Sequence, residues 1–163
     1  MSLTFAQRLK QNFLLQGFGW LKIPLVAFVG ARVVDVDDRR CEVRIPLNYR
    51  TGNHLKCMYF GVLCTGADIA GGLLAMELIR ETGNQVNLLF KDFTAEFLKR
   101  AESDVHFVSE DGEKVRALVR KAMETGERVN ETVEITATCP KIGLEPVAKF
   151  KLTISLKKRA ARA

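Results

Sequence analysis

The chain has 163 residues, 47% hydrophobic and 27% charged, which is enough for one globular domain with a proper core and too little for two. Its net charge is +6, but the tail KKRAARA over 157–163 holds four positive charges. The mildly basic remainder argues against a nucleic-acid binder and suits a phosphate-bearing small ligand; no glycine-rich Walker or dinucleotide loop is present to bind one in the usual way.

At the N-terminus, Phe5, Leu9, Phe13 and Leu14 recur at helical spacing, with Arg8 and Lys10 on other faces. This predicts an amphipathic helix lying on the fold, with a membrane-surface helix as the alternative. The segment FLLQGFGWLKIPLVAFVG, 13–30, is interrupted by Gln16, Lys22 and Pro24 and falls short of the roughly 20 apolar residues a bilayer span needs. Residues 1–30 therefore read as a helical extension, 31–157 as the core of a single domain, and 158–163 as a basic, solvated tail.

After Gly30 the period changes to two. A short strand over 33–36 leads through the turn DDRR to a second, in which Cys41, Val43, Ile45 and Leu47 alternate with Arg40, Glu42, Arg44 and Pro46, as in a half-buried strand. An irregular loop, YRTGNHLKCM, precedes a long apolar helix over 59–80. Strands are predicted over 86–99 and 104–109. Val115, Leu118, Val119, Ala122 and Met123 mark an amphipathic helix over 113–125. Two alternating strands, 129–137 and 149–156, close the chain as a hairpin. The order predicts an α+β domain, with one face of an antiparallel sheet covered by the long helix. Cys41, Cys57, Cys64 and Cys139 form no CxxC pair, which suits free thiols in a reducing, cytoplasmic setting and predicts neither disulfides nor a metal site.

The long helix poses the functional question. YFGVLCTGADIAGGLLA, 59–75, carries four glycines and a single carboxylate among apolar neighbours. Each glycine costs a helix about 1 kcal/mol, and a buried charge costs more unless it is paired or used. Gly61, Cys64, Asp68, Gly71, Gly72 and Ala75 recur at three- and four-residue steps. They predict a small-residue face approached closely by the sheet, with Asp68 projecting from it toward a site.

TGNHLKCMYFGVLCTGADIAGG resembles the signature of PaaI-like hotdog-fold thioesterases, approximately HxNxxGxxHGGxLxxLADxAxG. Asn53 falls on the asparagine, Tyr59 on the second histidine, Phe60 and Gly61 on the glycine pair, Leu63 on the leucine, Ala67 and Asp68 on AD, and Ala70 and Gly72 on the last AxG. FLKRA, 97–101, is similar to the strand that follows. With its added N-terminal and inserted helices, the chain is most similar to the DUF4442 group of hotdog proteins. Departures are Thr51 and Tyr59 at histidines, and Lys56 and Phe60 at glycines.

The resemblance implies a curved antiparallel sheet wrapped around a central helix, and hydrolysis of an acyl-CoA or acyl-carrier-protein thioester. It casts Asp68 as general base or nucleophile, its pKa raised by an apolar setting, and backbone N–H groups at Phe60 and Gly61 as oxyanion donors. Asn53 would position water or carbonyl, its alternative being an Asx turn; Tyr59 would donate its hydroxyl or simply pack. Phe90 and Phe93, with Phe60, would line an acyl pocket, and His54, Lys99 and Arg100 would meet the rest of the substrate. The resemblance further implies sites shared across a homodimer, or a dimer of dimers, and no cofactor beyond the coenzyme A of the substrate. A non-catalytic module that binds acyl-thioester or lipid-like ligands is the alternative, since histidine and glycine positions of the signature are substituted.

Overall fold

The computed structural model describes residues 3–83 and 85–159. Six antiparallel strands form one sheet in the order β1-β2-β4-β5-β6-β3, namely β1 Arg32–Val36, β2 Cys41–Ile45, β3 Val86–Phe97, β4 Val105–Ser109, β5 Val129–Cys139 and β6 Gly143–Lys158. Among the described residues four helices accompany them: α1 Phe5–Lys22, α2 Pro24–Phe28, α3 Phe60–Arg80 and α4 Gly112–Thr125. Alternation holds along β2, β4 and β5, but in β6 it stops at Leu152: Thr153 and Ser155 are buried along with Leu152, Ile154 and Leu156. Cys41, Val43 and Ile45 are fully buried on one face of β2, and Val105, Phe107 and Ser109 on the same face of β4. The sheet packs that face on α3, which touches β2, β3, β4, β5 and β6. Among the described residues α3 is the helix long and apolar enough to cross a membrane, and two-thirds of its apolar window is buried by the fold, as befits a core helix.

The close approach of sheet to helix occurs at Gly66, off the predicted small-residue line. A Cβ there would lie 2.3 Å from Cε2 and Cζ of the buried Phe107 ring, so the aromatic fills the space a side chain would take. Gly71 meets Ile135 and Val133 of β5, and Gly72 meets Phe90 of β3. Gly61, Cys64 and Asp68 lie on the less covered side of the helix, each only half-buried. Alanine at Gly66 would gain about 1 kcal/mol of helix propensity, against about 1–3 kcal/mol for overpacking a rigid core. We expect Gly66→Ala to lower stability in urea melts, whereas Gly17→Ala in α1, with nothing within 4 Å of its new methyl, should raise it by about 1 kcal/mol. Equal or greater stability of Gly66→Ala would mean that Phe107 does not need that gap.

α4 packs against α3, β5 and β6, on the stripe of Val115, Leu118, Val119 and Ala122 that the sequence predicts. β6 continues through Lys158, pairing with Val86, so Lys157 and Lys158 belong to a strand; residues 160–163 of the expected tail lie outside the described residues.

The N-terminal helix forms as predicted but lies on the fold by another face. Phe5, Leu9 and Phe13 are 82%, 63% and 80% exposed. Buried Leu15, Gly19 against Ala27, and two amide side chains hold α1 instead: Asn12 exchanges two hydrogen bonds with the backbone of Val33, at 2.9 and 3.0 Å, and Gln16 donates to the Ala31 carbonyl at 2.7 Å. These amides occupy the free edge of β1 as a neighbouring strand would. At the other end of the sheet, β3 pairs only with β6 among the described residues and is exposed along most of its twelve residues.

Candidate active site

α3 begins without a capping side chain. Tyr59 stands at its N-cap with extended backbone and no side-chain cap, in contrast to α1, where Thr4 and Gln7 form a capping box. The Tyr59 carbonyl accepts from Val62 and Leu63, and the Tyr59 N–H donates to the Thr51 carbonyl. The N–H groups of Phe60 and Gly61 are left without a partner among the described residues. They are unpaired donors at the positive end of a 21-residue helix, a geometry that suits a developing negative charge.

The loop before α3 is clamped. Buried Thr51 donates its hydroxyl to the Pro46 carbonyl at 2.6 Å and receives the Asn48 N–H at 2.9 Å. Asn53 Oδ1 accepts from the Leu55 N–H at 2.8 Å, forming the Asx turn; its Nδ2 has no partner among the described residues. Lys56 has φ +59°, a left-handed conformation unusual for lysine, so the backbone keeps the form that the signature glycine adopts easily. His54 is exposed. The Met58 N–H donates to the Ala101 carbonyl at 2.8 Å, which brings the segment containing Lys99 and Arg100 beside the start of α3. Lys99 is paired with Glu145, so its charge is already partly answered. Arg100 is exposed without an ion-pair partner among the described residues.

Tyr59 packs. Its ring lies 4.7 Å from that of Phe60 and occupies the space beside Gly61, where a Cβ would come 2.6 Å from Cε1. Phe60 continues to Phe97 at 6.1 Å, Phe97 to buried Phe150 at 6.1 Å, and Phe150 to Phe93 at 5.7 Å. Phe60, Phe93, Phe97 and Phe90 remain 38–57% exposed. They make an aromatic wall between the first turns of α3 and the edge strand. Phe97 was not among the expected lining residues, although Phe93, Ala95 and Phe97 alternate. Strict alternation would put Phe90 and Phe93 on opposite faces. A bulge between Phe90 and Asp92 resets the register, so both turn inward, toward Gly72 and Phe150 respectively.

Asp68 lies two turns further along α3, half-buried. Its carboxyl has no hydrogen-bond or ion-pair partner among the described residues, and burial raises its pKa. Cys64, one turn before it on the same side, also has its thiol pushed up by burial, so it is a neutral thiol at pH 7 and a poor nucleophile. Seven residues of helical rise separate Asp68 from Gly61, about 11 Å along the axis. One chain therefore does not bring its carboxylate and its free N–H groups to the same carbonyl. Two hollows of about 380 Å³ each lie elsewhere, one between the end of α3 and α4, the other between α1 and the outer face of the sheet; neither includes Asp68. Among the described residues no three His, Cys, Asp or Glu side chains are grouped to hold a metal.

An antiparallel sheet packed on a long central helix defines a hotdog-fold protein. The model of the family described as "Domain of unknown function (DUF4442)" matches residues 12–154, and the chain belongs to that family. A Pseudomonas aeruginosa protein of unknown function, PA5026, described as a probable thioesterase, is 26% identical, with 90% of this chain and 95% of that one covered at a TM-score of 0.74. A putative thioesterase from Shewanella oneidensis (14% identity, 93% and 99% covered, TM-score 0.75) and thioesterase HI1161 from Haemophilus influenzae (16%, 97% and 93%, 0.68) share the fold. No curated protein matches the chain.

Proposed function

We propose that the protein hydrolyses an acyl thioester of coenzyme A or acyl carrier protein, with Asp68 as the base. The observation that carries this reading is the carboxyl of Asp68, half-buried and without a partner among the described residues, on a helix that bears no other acid until Glu77. Structure alone gives such a group nothing to do. Its carboxylate takes a proton from water as the water oxygen attacks the thioester carbonyl. The oxyanion is received by the N–H groups of Phe60 and Gly61, and collapse expels the thiolate, which regains the proton from Asp68. Direct attack by the carboxylate on the same carbonyl expels the thiolate and leaves a mixed anhydride; water then cleaves it to the free acid and protonated Asp68, whose proton passes to the thiolate.

The 11 Å between Asp68 and the N–H donors of its own chain is the reason to draw the donors from a second copy. The exposed edge of β3 offers that copy a place to pair, and long uncovered edges are otherwise a liability. Phe60, Phe90, Phe93 and Phe97 then wall the acyl group, while Arg100, His54 and Lys56 face the polar arm. The protein needs no cofactor in this scheme.

A panel of acyl-CoAs of increasing chain length, read by release of free thiol, tests the proposal. Thiol release with at least one of them is the expected result. Binding of the same thioesters without release at any length would leave a non-catalytic ligand-binding module, the reading favoured by Tyr59 and Phe60 at signature histidine and glycine positions.

A further inference from the structure

We propose that α1 is a peripheral anchor that seats the protein on an anionic lipid surface. The helix is inverted relative to an ordinary surface helix. Its polar residues Asn12 and Gln16 are consumed by the β1 edge, and apart from buried Leu15 and half-buried Phe18 its large apolar residues face out. Leu9, Phe13, Trp20 and Leu21 are 63%, 80%, 74% and 81% exposed and fall within about a third of the helix circumference. Ile23, Leu25 and Phe28, at the turn into α2 and along it, are also exposed. A hydrophobic face of this length on a folded domain marks an interaction site.

Charge selects the occupant. Residues 1–34 contain Arg8, Lys10, Lys22 and Arg32 and no acidic residue, and none of these four cations has an ion-pair partner among the described residues. Arg8 and Arg32 also line the hollow between α1 and the outer sheet face, together with Arg44 and His106; those two are engaged by Asp104 at 3.7 Å and Glu42 at 2.6 Å. An apolar face that carries Lys10 within its arc and Lys22 at its C-terminal end, with an exposed tryptophan and no acidic residue on the helix, matches the boundary between acyl chains and anionic headgroups. A second copy pairing along β3 would sit at the far end of the sheet from β1 and α1, leaving the stripe open. The inference does not rest on catalysis.

Trp20 is the single tryptophan, so its emission reports this face alone. The full-length protein is mixed with vesicles of phosphatidylcholine, or of equimolar phosphatidylcholine and phosphatidylglycerol, and followed by Trp20 emission and co-sedimentation. The expected result is a blue shift and co-sedimentation with the anionic vesicles only. Lys10→Glu/Lys22→Glu should weaken partitioning by at least about fivefold for each lysine. Phe13→Glu/Leu21→Glu, at exposed positions that leave the core intact, should abolish it. Unshifted emission with the protein left in the supernatant overturns the proposal. Equal binding to both vesicle types, unaffected by the lysine changes, overturns its electrostatic half. Emission already blue in vesicle-free buffer, shifting red on dilution or in Phe13→Glu/Leu21→Glu, overturns it in favour of a second copy.

Discussion

Asp68→Asn should lower kcat for thioester hydrolysis by about 100-fold or more, the range for loss of a general base, while the protein becomes more stable at neutral pH. The pairing of these two effects separates a functional carboxyl from a structural one. In the folded state burial raises the Asp68 pKa above its ordinary value. The protonated form is therefore favoured by folding, and the contribution to stability is complete at pH below the ordinary aspartate pKa. It is lost as pH rises from there through the raised folded value. Asparagine, neutral throughout, escapes that loss. Thermal melts of the two proteins should therefore coincide most closely in acid and diverge above this window, with the variant higher. Activity runs the other way: kcat/KM of the wild type should climb with pH through the raised pKa and then level, because the base must be ionised. A variant with full activity, or one that melts lower at pH 7 than the wild type, would return Asp68 to a structural role.

Much of the fold is legible in the residues themselves. The alternation of Cys41, Val43 and Ile45, and the spacing of Val115, Leu118, Val119 and Ala122, state which face is buried because a single neighbour decides it. The same periodicity fails at α1. Phe5, Leu9 and Phe13 form a proper stripe, but two amide side chains, Asn12 and Gln16, fit the unpaired edge of β1 and turn the stripe outward. Burial of apolar area is non-directional, whereas the backbone edge demands donors and acceptors at fixed positions. Gly66 is hidden for a related reason: only the position of Phe107 across the interface distinguishes it from Gly61 or Gly71. At β3 the one-residue bulge at Phe90–Asp92 leaves no mark in the residue pattern, yet it decides that two phenylalanines three apart share the aromatic wall. The position of Asp68 is legible from the motif. Its lack of a partner depends on contacts distant in sequence.

Replacing Phe60 with proline should cost about 100- to 1000-fold in kcat, the range for losing an oxyanion donor, with the helix intact. Phe60 is the first residue of α3, after an N-cap at Tyr59 with φ −63° and ψ 137°. Proline is well accepted at the first helical position, and the residue before it prefers the extended backbone that Tyr59 already has. The Phe60 N–H has no partner among the described residues, so its removal breaks no hydrogen bond of the fold. Phe60→Leu controls for loss of the ring and should retain most of the activity. Mixing then asks where the two halves of a site come from. Asp68→Asn and Phe60→Pro chains, each nearly inactive alone, are unfolded together and refolded as mixed dimers. If carboxylate and N–H groups come from different copies, each mixed dimer holds one site with both intact and one with neither, and activity returns. With both groups drawn from one copy, every site keeps a defect and nothing is restored. The helical rise that puts about 11 Å between them within a chain predicts the first outcome; absence of rescue in verified mixed dimers would break the link between β3 pairing and catalysis.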